Sequence, residues 1–160
     1  MATGETPTVR HAARVVLLDE AGRVLLAKFE YRGKAWWVAP GGGLEPAETH
    51  EEAARREIGE ETGLDLRNLE PWIWSREHVF RFEGRLYRQK ERYFLATVPA
   101  FQPDSNLLGP EEAGVLRGLR WWTLAELEAT AEELAPADLF ALLRDLVEYA
   151  TLSKTDRGRS

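Results

Sequence analysis

The stretch Gly42-Gly43-Leu44-Glu45-Pro46-Ala47-Glu48-Thr49-His50-Glu51-Glu52-Ala53-Ala54-Arg55-Arg56-Glu57-Ile58-Gly59-Glu60-Glu61-Thr62-Gly63-Leu64 decides how the chain is read. Thr49 and Glu52 have capping-box spacing, and Gly63 stands where a helix would end. Residues 49–61 therefore predict a helix entered and left through glycine-containing loops. Glu57, Glu60 and Glu61 fall at i, i+3 and i+4 and share one helical face. Each such like-charge pair costs roughly 0.2–0.5 kcal/mol on an open helix. Gly59 in the interior adds about 1 kcal/mol against alanine. Two explanations compete: an ordinary solvated acidic face, and a site for a hard cation. Mg²⁺ prefers oxygen ligands, keeps several waters and is commonly shared with substrate phosphates. With no cysteine and only three scattered histidines, zinc is a poor candidate.

Charge sets this stretch apart from its surroundings. It carries seven glutamates and two arginines, a balance of −5, while the chain as a whole is at −6. Nearly all the excess negative charge thus sits in 23 residues, which is how a solvated face or a cation site looks. The 160 residues fit one domain, and 44% hydrophobic with 10% aromatic residues suffices for a core and excludes wholesale disorder. The absence of cysteine excludes disulfides and thiolate metal sites, and fits a reducing cytoplasm, the expected location. The N-terminus lacks the basic-then-apolar pattern of a signal peptide, and the early apolar run Val15 to Leu18 is too short to span a bilayer. No membrane association is expected.

Outward from the helix, Ala12 to Leu18 and Arg23 to Phe29 flank Asp19-Glu20-Ala21-Gly22 and predict a β-hairpin. Trp36 to Ala39 reads as a short strand ended by Pro40 and three glycines. Trp72 to Phe82 and Arg85 to Val98 read as strands joined at Glu83-Gly84, followed by a long loop from Pro99 to Glu112 and a last strand at Leu119 to Trp122. Thr123 and Glu126 open a helix through about Leu134. A second helix after Pro136 places Leu139, Leu142, Leu143 and Leu146 on one face. Residues 1–11 read as a flexible arm, 12–150 as one domain and 151–160 as a polar tail. Mixed helices and antiparallel hairpins suggest a sheet packed between helices.

Gly42 to Leu64 resembles the Nudix box, G-x5-E-x7-R-E-U-x-E-E-x-G-U with U a bulky apolar residue. It matches at every specified position: Gly42, Glu48, Arg56-Glu57-Ile58, Glu60-Glu61 and Gly63-Leu64. The approach Trp37-Val38-Ala39-Pro40-Gly41-Gly42 is similar to that family too. The resemblance implies an α/β fold, a Nudix-type α/β/α sandwich with a mixed central sheet and a loop-helix-loop catalytic motif. It implies that Glu57, Glu60 and Glu61 are the metal ligands and, with Arg56 and Glu48, the catalytic set. Glu48 and Arg56 would brace loop and helix, while Ile58 and Leu64 would anchor them to the core. The implied cofactor is Mg²⁺, with Mn²⁺ able to substitute. The implied chemistry is attack of water on phosphorus, in which cations neutralise phosphate oxygens, acidify the water and align attack with departure. Cations also reverse the local charge, without which an acidic protein repels an anionic pyrophosphate. A general base is needed, and Glu57, Glu111 and Glu112 remain open for it, because many family members draw a glutamate from the loop that holds the last two. Glu112 is carried as the loop candidate in the catalytic set.

The implied substrate is a nucleoside diphosphate linked to another moiety, or a nucleoside triphosphate. Arg88, Trp37 and Glu91 are the candidate substrate contacts. In the strand from Arg85, alternation puts Arg88, Lys90 and Arg92 on one face and Tyr87, Gln89, Glu91 and Tyr93 on the other. A basic row there could steer phosphates, or could be an exposed sheet face. The pairs Trp36-Trp37, Trp72 with Trp74 and Trp121-Trp122 are core by default, with base stacking as the alternative. His78 is either a substrate contact or a polar residue of the strand. Residues 79–82 read Val-Phe-Arg-Phe and lack the proline or tyrosine that marks some substrate subfamilies. An acidic chain with no binding module gives no reason to expect a nucleic-acid partner. A small nucleotide and a homodimeric copy are the partners considered. The competing functional class is a non-catalytic nucleotide-binding or regulatory module of the same fold, against which the intact glutamates argue.

Overall fold

The computed structural model of the chain describes residues 4–103 and 116–157. Its elements in order are β1 (Thr8–Leu18), β2 (Val24–Tyr31), β3 (Lys34–Val38), β4 (Gly41–Gly43), α1 (His50–Thr62), β5 (Glu70–Phe82), β6 (Arg85–Thr97), β7 (Leu116–Trp122), α2 (Leu124–Ala129), β8 (Glu133–Leu134) and α3 (Leu139–Arg157). The sheet is mixed, since β3 and β8 pair in parallel while β1–β2, β1–β4, β2–β3, β2–β7 and β5–β6 are antiparallel. This is the α/β class that the sequence implies. Two compact units share the chain. One comprises the chain up to Val16 with Pro40–Ala96, and the other Leu17–Ala39 with the chain from Thr97 on.

In the first unit the strands lie in the order β5, β6, β1, and β4 pairs with β1. The β5–β6 hairpin turns at Glu83-Gly84, both at positive φ, and runs in register from Phe82↔Arg85 to Trp74↔Tyr93. Its alternation is as expected: Gln89, Glu91 and Tyr93 are buried while Arg88, Lys90 and Arg92 are exposed. β1 begins at Thr8, inside the stretch read as a loose arm, and carries Ala12, Ala13, Val15 and Val16 into the core. The glycine triplet departs from its expected role as a break. It is a strand, with Ala12↔Gly43, Ala13↔Gly42 and Arg14↔Gly41 in register. Gly41 has φ 147, and a Cβ there would overlap the Ala13 carbonyl oxygen. Only a residue without a side chain can lie that close to β1.

The second unit is organised around β2, which pairs with β3, with β7 and, through Leu25↔Leu17 and Val24↔Leu18, with the end of β1. Its core includes Val24 to Ala27, Trp37, Val38, Trp122, Leu127, Leu139 and Leu143. The capping box at Thr123 and Glu126 is formed, but α2 stops at Ala129 rather than near Leu134. Thr130 takes extended backbone, and Glu133 and Leu134 pair with Trp36 and Trp37 of β3 instead. Pairing to a strand edge supplies backbone partners that local helix propensity cannot foresee. α3 buries Leu139, Leu143 and Leu146 along one face and continues to Arg157, past residue 150 where the tail was expected to begin. Among the described residues no helix is long and apolar enough to cross a membrane.

Candidate functional site

α1 starts on a complete capping box, with the Thr49 hydroxyl accepting from Glu52 N–H at 3.1 Å and Glu52 Oε1 accepting from Thr49 N–H at 3.0 Å. It ends at Gly63, whose φ of 78 is the left-handed conformation that glycine adopts without strain. Its buried face is wider than its sequence suggests. Ile58 is fully buried, as an anchor must be, but Glu57 and Glu61 are buried with it, and only Glu60 is exposed. Ile58 is only about 100° of helical rotation from Glu57, so one broad face takes both.

Arg56 ties the surrounding carboxylates together. Its Nε and Nη2 donate to the two Glu48 oxygens at 2.8 and 2.9 Å, a bidentate pair, and Nη2 also donates to the Gly43 carbonyl at 3.0 Å. Its Nη1 donates to Glu57 Oε1 at 3.0 Å and reaches both Glu60 oxygens at 3.4 Å. Arg56, with a further bond from the Glu45 N–H, holds the Glu48 carboxyl well below the usual range, at about 2. Glu48, outweighing burial, and Glu57 hold Arg56 more firmly protonated than a free guanidinium. The entry loop is thereby pinned to the middle of α1. Gly42 completes the arrangement, because a Cβ there would stand 2.5 Å from the Glu57 carboxyl carbon. The Glu57 carboxylate fills the place of the missing side chain.

Glu57 and Glu60 therefore converge on the same guanidinium nitrogen. Among the described residues no three Asp, Glu or His side chains are gathered closely enough to cage an ion by themselves. Mg²⁺ does not require such a cage, since it binds through one or two carboxylates plus waters and substrate phosphates. The donor set is hard oxygen throughout, and the Gly42 recess holds one donor in place. In kind the residues fit Mg²⁺, with Glu57, Glu60 and Glu61 the groups that would hold it.

The other expected site residues divide. Glu91 is 2% exposed and lies at the centre of a charge network. It accepts from Arg14 Nε at 2.7 Å, Gln89 Nε2 at 3.0 Å and Arg76 Nη1 at 3.3 Å, with His78 Nε2 at 3.6 Å. Burial opposes its ionisation, but Arg14, Arg76 and His78 hold the carboxyl below its usual range. Burial likewise disfavours the Arg14 charge, and Glu91, Tyr93 and Glu61 outweigh it. Tyr93, buried beside Glu91, is pushed up to about 12. Burial, then Arg76, lowers His78. Arg88 is exposed and pairs with Glu77 at 3.0 Å, outside this network. Trp37, in the second unit, is buried edge-on to Trp122 at 5.1 Å, with Lys28 5.8 Å from its ring centre; it is core, as the default for tryptophan has it. Glu111 and Glu112 lie outside the described residues. Sequence reasoning missed Arg14, although an arginine inside Ala12-Ala13-Arg14-Val15-Val16 is a signal, because a buried strand carries a charge only to meet another.

Comparison with known proteins agrees with this geometry. The profile of the NUDIX domain matches residues 8–143. An RNA pyrophosphohydrolase of Sphingopyxis alaskensis is 30% identical over 149 residues, covering 87% of this chain and 90% of the relative. One from Teredinibacter turnerae is 31% identical over 129 residues, covering 74% and 75%. Among solved structures, a MutT NUDIX hydrolase from Burkholderia pseudomallei shares the fold at a TM-score of 0.64 and 23% identity, over 88% of this chain and 97% of that one. A MutT protein from Bacillus halodurans does so at 0.62 and 26%, over 86% and 82%. The chain belongs to the NUDIX domain family and is a Nudix pyrophosphohydrolase.

Proposed function

We propose that the chain hydrolyses, with Mg²⁺ held by Glu57, Glu60 and Glu61, a pyrophosphate bond in a nucleoside diphosphate linked to another moiety or in a nucleoside triphosphate. Relatives named RNA pyrophosphohydrolases bring the 5′ end of an RNA into the substrate class, against the expectation that no nucleic acid is a partner. The observation that carries the reading is the arrangement of Glu57, seated against Gly42, joined by one guanidinium to Glu60 and Glu48. Mg²⁺ bound there supplies charge neutralisation of the phosphate oxygens and acidifies the attacking water. The chain's own residues do the positioning. Glu48, at about 2, stays ionised well into acid, so the Arg56 brace between the entry loop and α1 persists there. A carboxylate accepts the proton of the water as it attacks phosphorus, and the anhydride P–O bond breaks to release the departing phosphate. Mn²⁺ replaces Mg²⁺ on the same oxygens.

The test is a screen of nucleoside diphosphate derivatives and triphosphates with Mg²⁺, identifying both products, repeated with Glu60→Gln and Glu61→Gln. Turnover of every substrate should collapse while circular dichroism shows a folded chain. Glu60 is the cleaner variant because its side chain is 48% exposed. Unchanged turnover in either variant removes the metal-ligand assignment.

A further inference from the structure

The first unit contains a cavity of about 460 Å³ that the glutamates of α1 do not enter. Its walls carry three cationic side chains, Arg76 from β5 and Lys90 and Arg92 from β6, beside two imidazoles, His11 from β1 and His50 from the first turn of α1. Two carboxylates also line it, and both are already paired with arginines. Glu91 is held by Arg14 and Arg76 at 2.7 and 3.3 Å, and Glu77 by Arg88 at 3.0 Å. Arg92 stacks over Trp72 at 4.5 Å, and neither it nor Lys90 has an acidic partner among the described residues. The two imidazoles meet edge to face at 5.9 Å. Burial first, then Arg92 and His11, hold His50 below the usual imidazole range. Arg76 has its counter-charge in Glu91, whereas Lys90 and Arg92 stand on one strand face without one among the described residues, and an oxyanion beside them would relieve their repulsion.

We propose that this cavity is a phosphate-binding site distinct from the carboxylate site of α1. Planar guanidinium from Arg92, the ammonium of Lys90 and two imidazole N–H donors suit a multiply charged oxyanion. The positive end of α1 adds to them. His50 and Glu57 stand seven residues apart on α1, roughly 10 Å along its axis at 1.5 Å per residue. One substrate can therefore span both sites, with its scissile anhydride at the glutamates and a further phosphate in the cavity. Phosphate occupancy stands by itself, whereas the spanning substrate rests on the function proposed above.

The experiment uses the full chain without metal, titrated with inorganic phosphate and then pyrophosphate at constant ionic strength. The imidazole resonances of His11 and His50 are followed by NMR, with a matched chloride titration as the control. Both should shift saturably with one dissociation constant, and the apparent pKa of His50 should rise by about 1. A Lys90→Gln/Arg92→Gln double variant should weaken binding at least about tenfold; both side chains are exposed, so the fold should survive. Absence of a saturable His50 shift, or unchanged binding in the double variant, overturns the site. A kinetic arm identifies the source of the phosphate. If the double variant raises KM about tenfold more for a dinucleotide 5′-triphosphate than for a nucleoside triphosphate, the occupant is the substrate's own next phosphate. Equal effects assign the cavity to free phosphate. A chain that binds phosphate but hydrolyses nothing would refute the catalytic reading and leave this one standing.

Discussion

Replacing Glu91 by glutamine keeps the size of the side chain and removes its charge, so it isolates the worth of the buried network. The Glu91 side chain is 1% exposed and that of Arg14 14%. Without the carboxylate, Arg14 keeps its charge in the interior and loses the partner at 2.7 Å, with Glu61 still acting on it, and Arg76 and His78 lose the same group. Breaking a buried pair from one side costs about 3–5 kcal/mol when the remaining charge is uncompensated, and Glu61 holds the loss toward the lower end. At roughly 2–4 °C per kcal/mol for a chain of this size, melting should fall by about 6–20 °C. Denaturant titration at pH 7 measures the same loss through the midpoint. The acid limb gives a second check. The folded Glu91 carboxyl titrates below its ordinary value of 4.5. Its contribution is therefore complete above that pH and is lost as the pH falls through the folded value. The gap between the parent chain and Glu91→Gln should be constant from about pH 5 upward and narrow below about 4.5. A loss under about 1 kcal/mol at pH 7, or a gap that does not narrow in acid, would refute the network as a source of stability.

Two other outcomes follow from the site. Gly42→Ala places its Cβ 2.5 Å from the Glu57 carboxyl carbon, the mobile end of a side chain, so Glu57 yields and the fold persists. Turnover should drop about 100-fold, as a misplacement of about 1 Å does, with melting nearly unchanged; full activity would sever Gly42 from the site. Mg²⁺ at 100 times its dissociation constant should stabilise the native state by about 2.7 kcal/mol, and chelation should reverse the gain. Calorimetry with and without Mg²⁺ decides this, and a flat response, or one equally large in Glu60→Gln, would mean that the ion binds elsewhere.

What the sequence discloses here is what neighbouring residues determine among themselves. The α1 caps lie at Thr49, Glu52 and Gly63, all local, and α1 forms between them as expected. The β5–β6 turn at Glu83-Gly84 and the alternation of Gln89, Glu91 and Tyr93 are equally local. Distant partners are where expectation and structure separate. The glycine triplet has every local mark of a break, and it becomes a strand because β1 comes close enough to leave no room for a Cβ. The stretch beyond Ala129 looks helical and instead pairs with Trp36 and Trp37, nearly a hundred residues earlier in the chain. Arg14 and Glu91 each look misplaced alone, and only their contact explains both.

Burial also changes what the glutamate cluster signifies. On an open helix the three carboxylates would cost tenths of a kcal/mol, a penalty too small to demand an ion. With Glu57 and Glu61 buried, desolvation is added and the cost is of a different order. The chain answers part of it internally, since Arg56 contacts Glu57 and Glu60, and Glu61 acts on the buried charge of Arg14. Acidic crowding is thus no proof of a metal by itself, because arginines of the same unit already oppose it. What supports the cation reading proposed above is that Glu57 is seated against a glycine, in the space a side chain there would take, at a further cost in backbone entropy. The cavity beside His50 presents the reverse case, with Lys90 and Arg92 on its wall and the nearby carboxylates already paired with Arg14, Arg76 and Arg88. An unrelieved charge of known sign, next to a space of known size, is the more specific signal of a ligand, and it is one that no local pattern in the sequence could have shown.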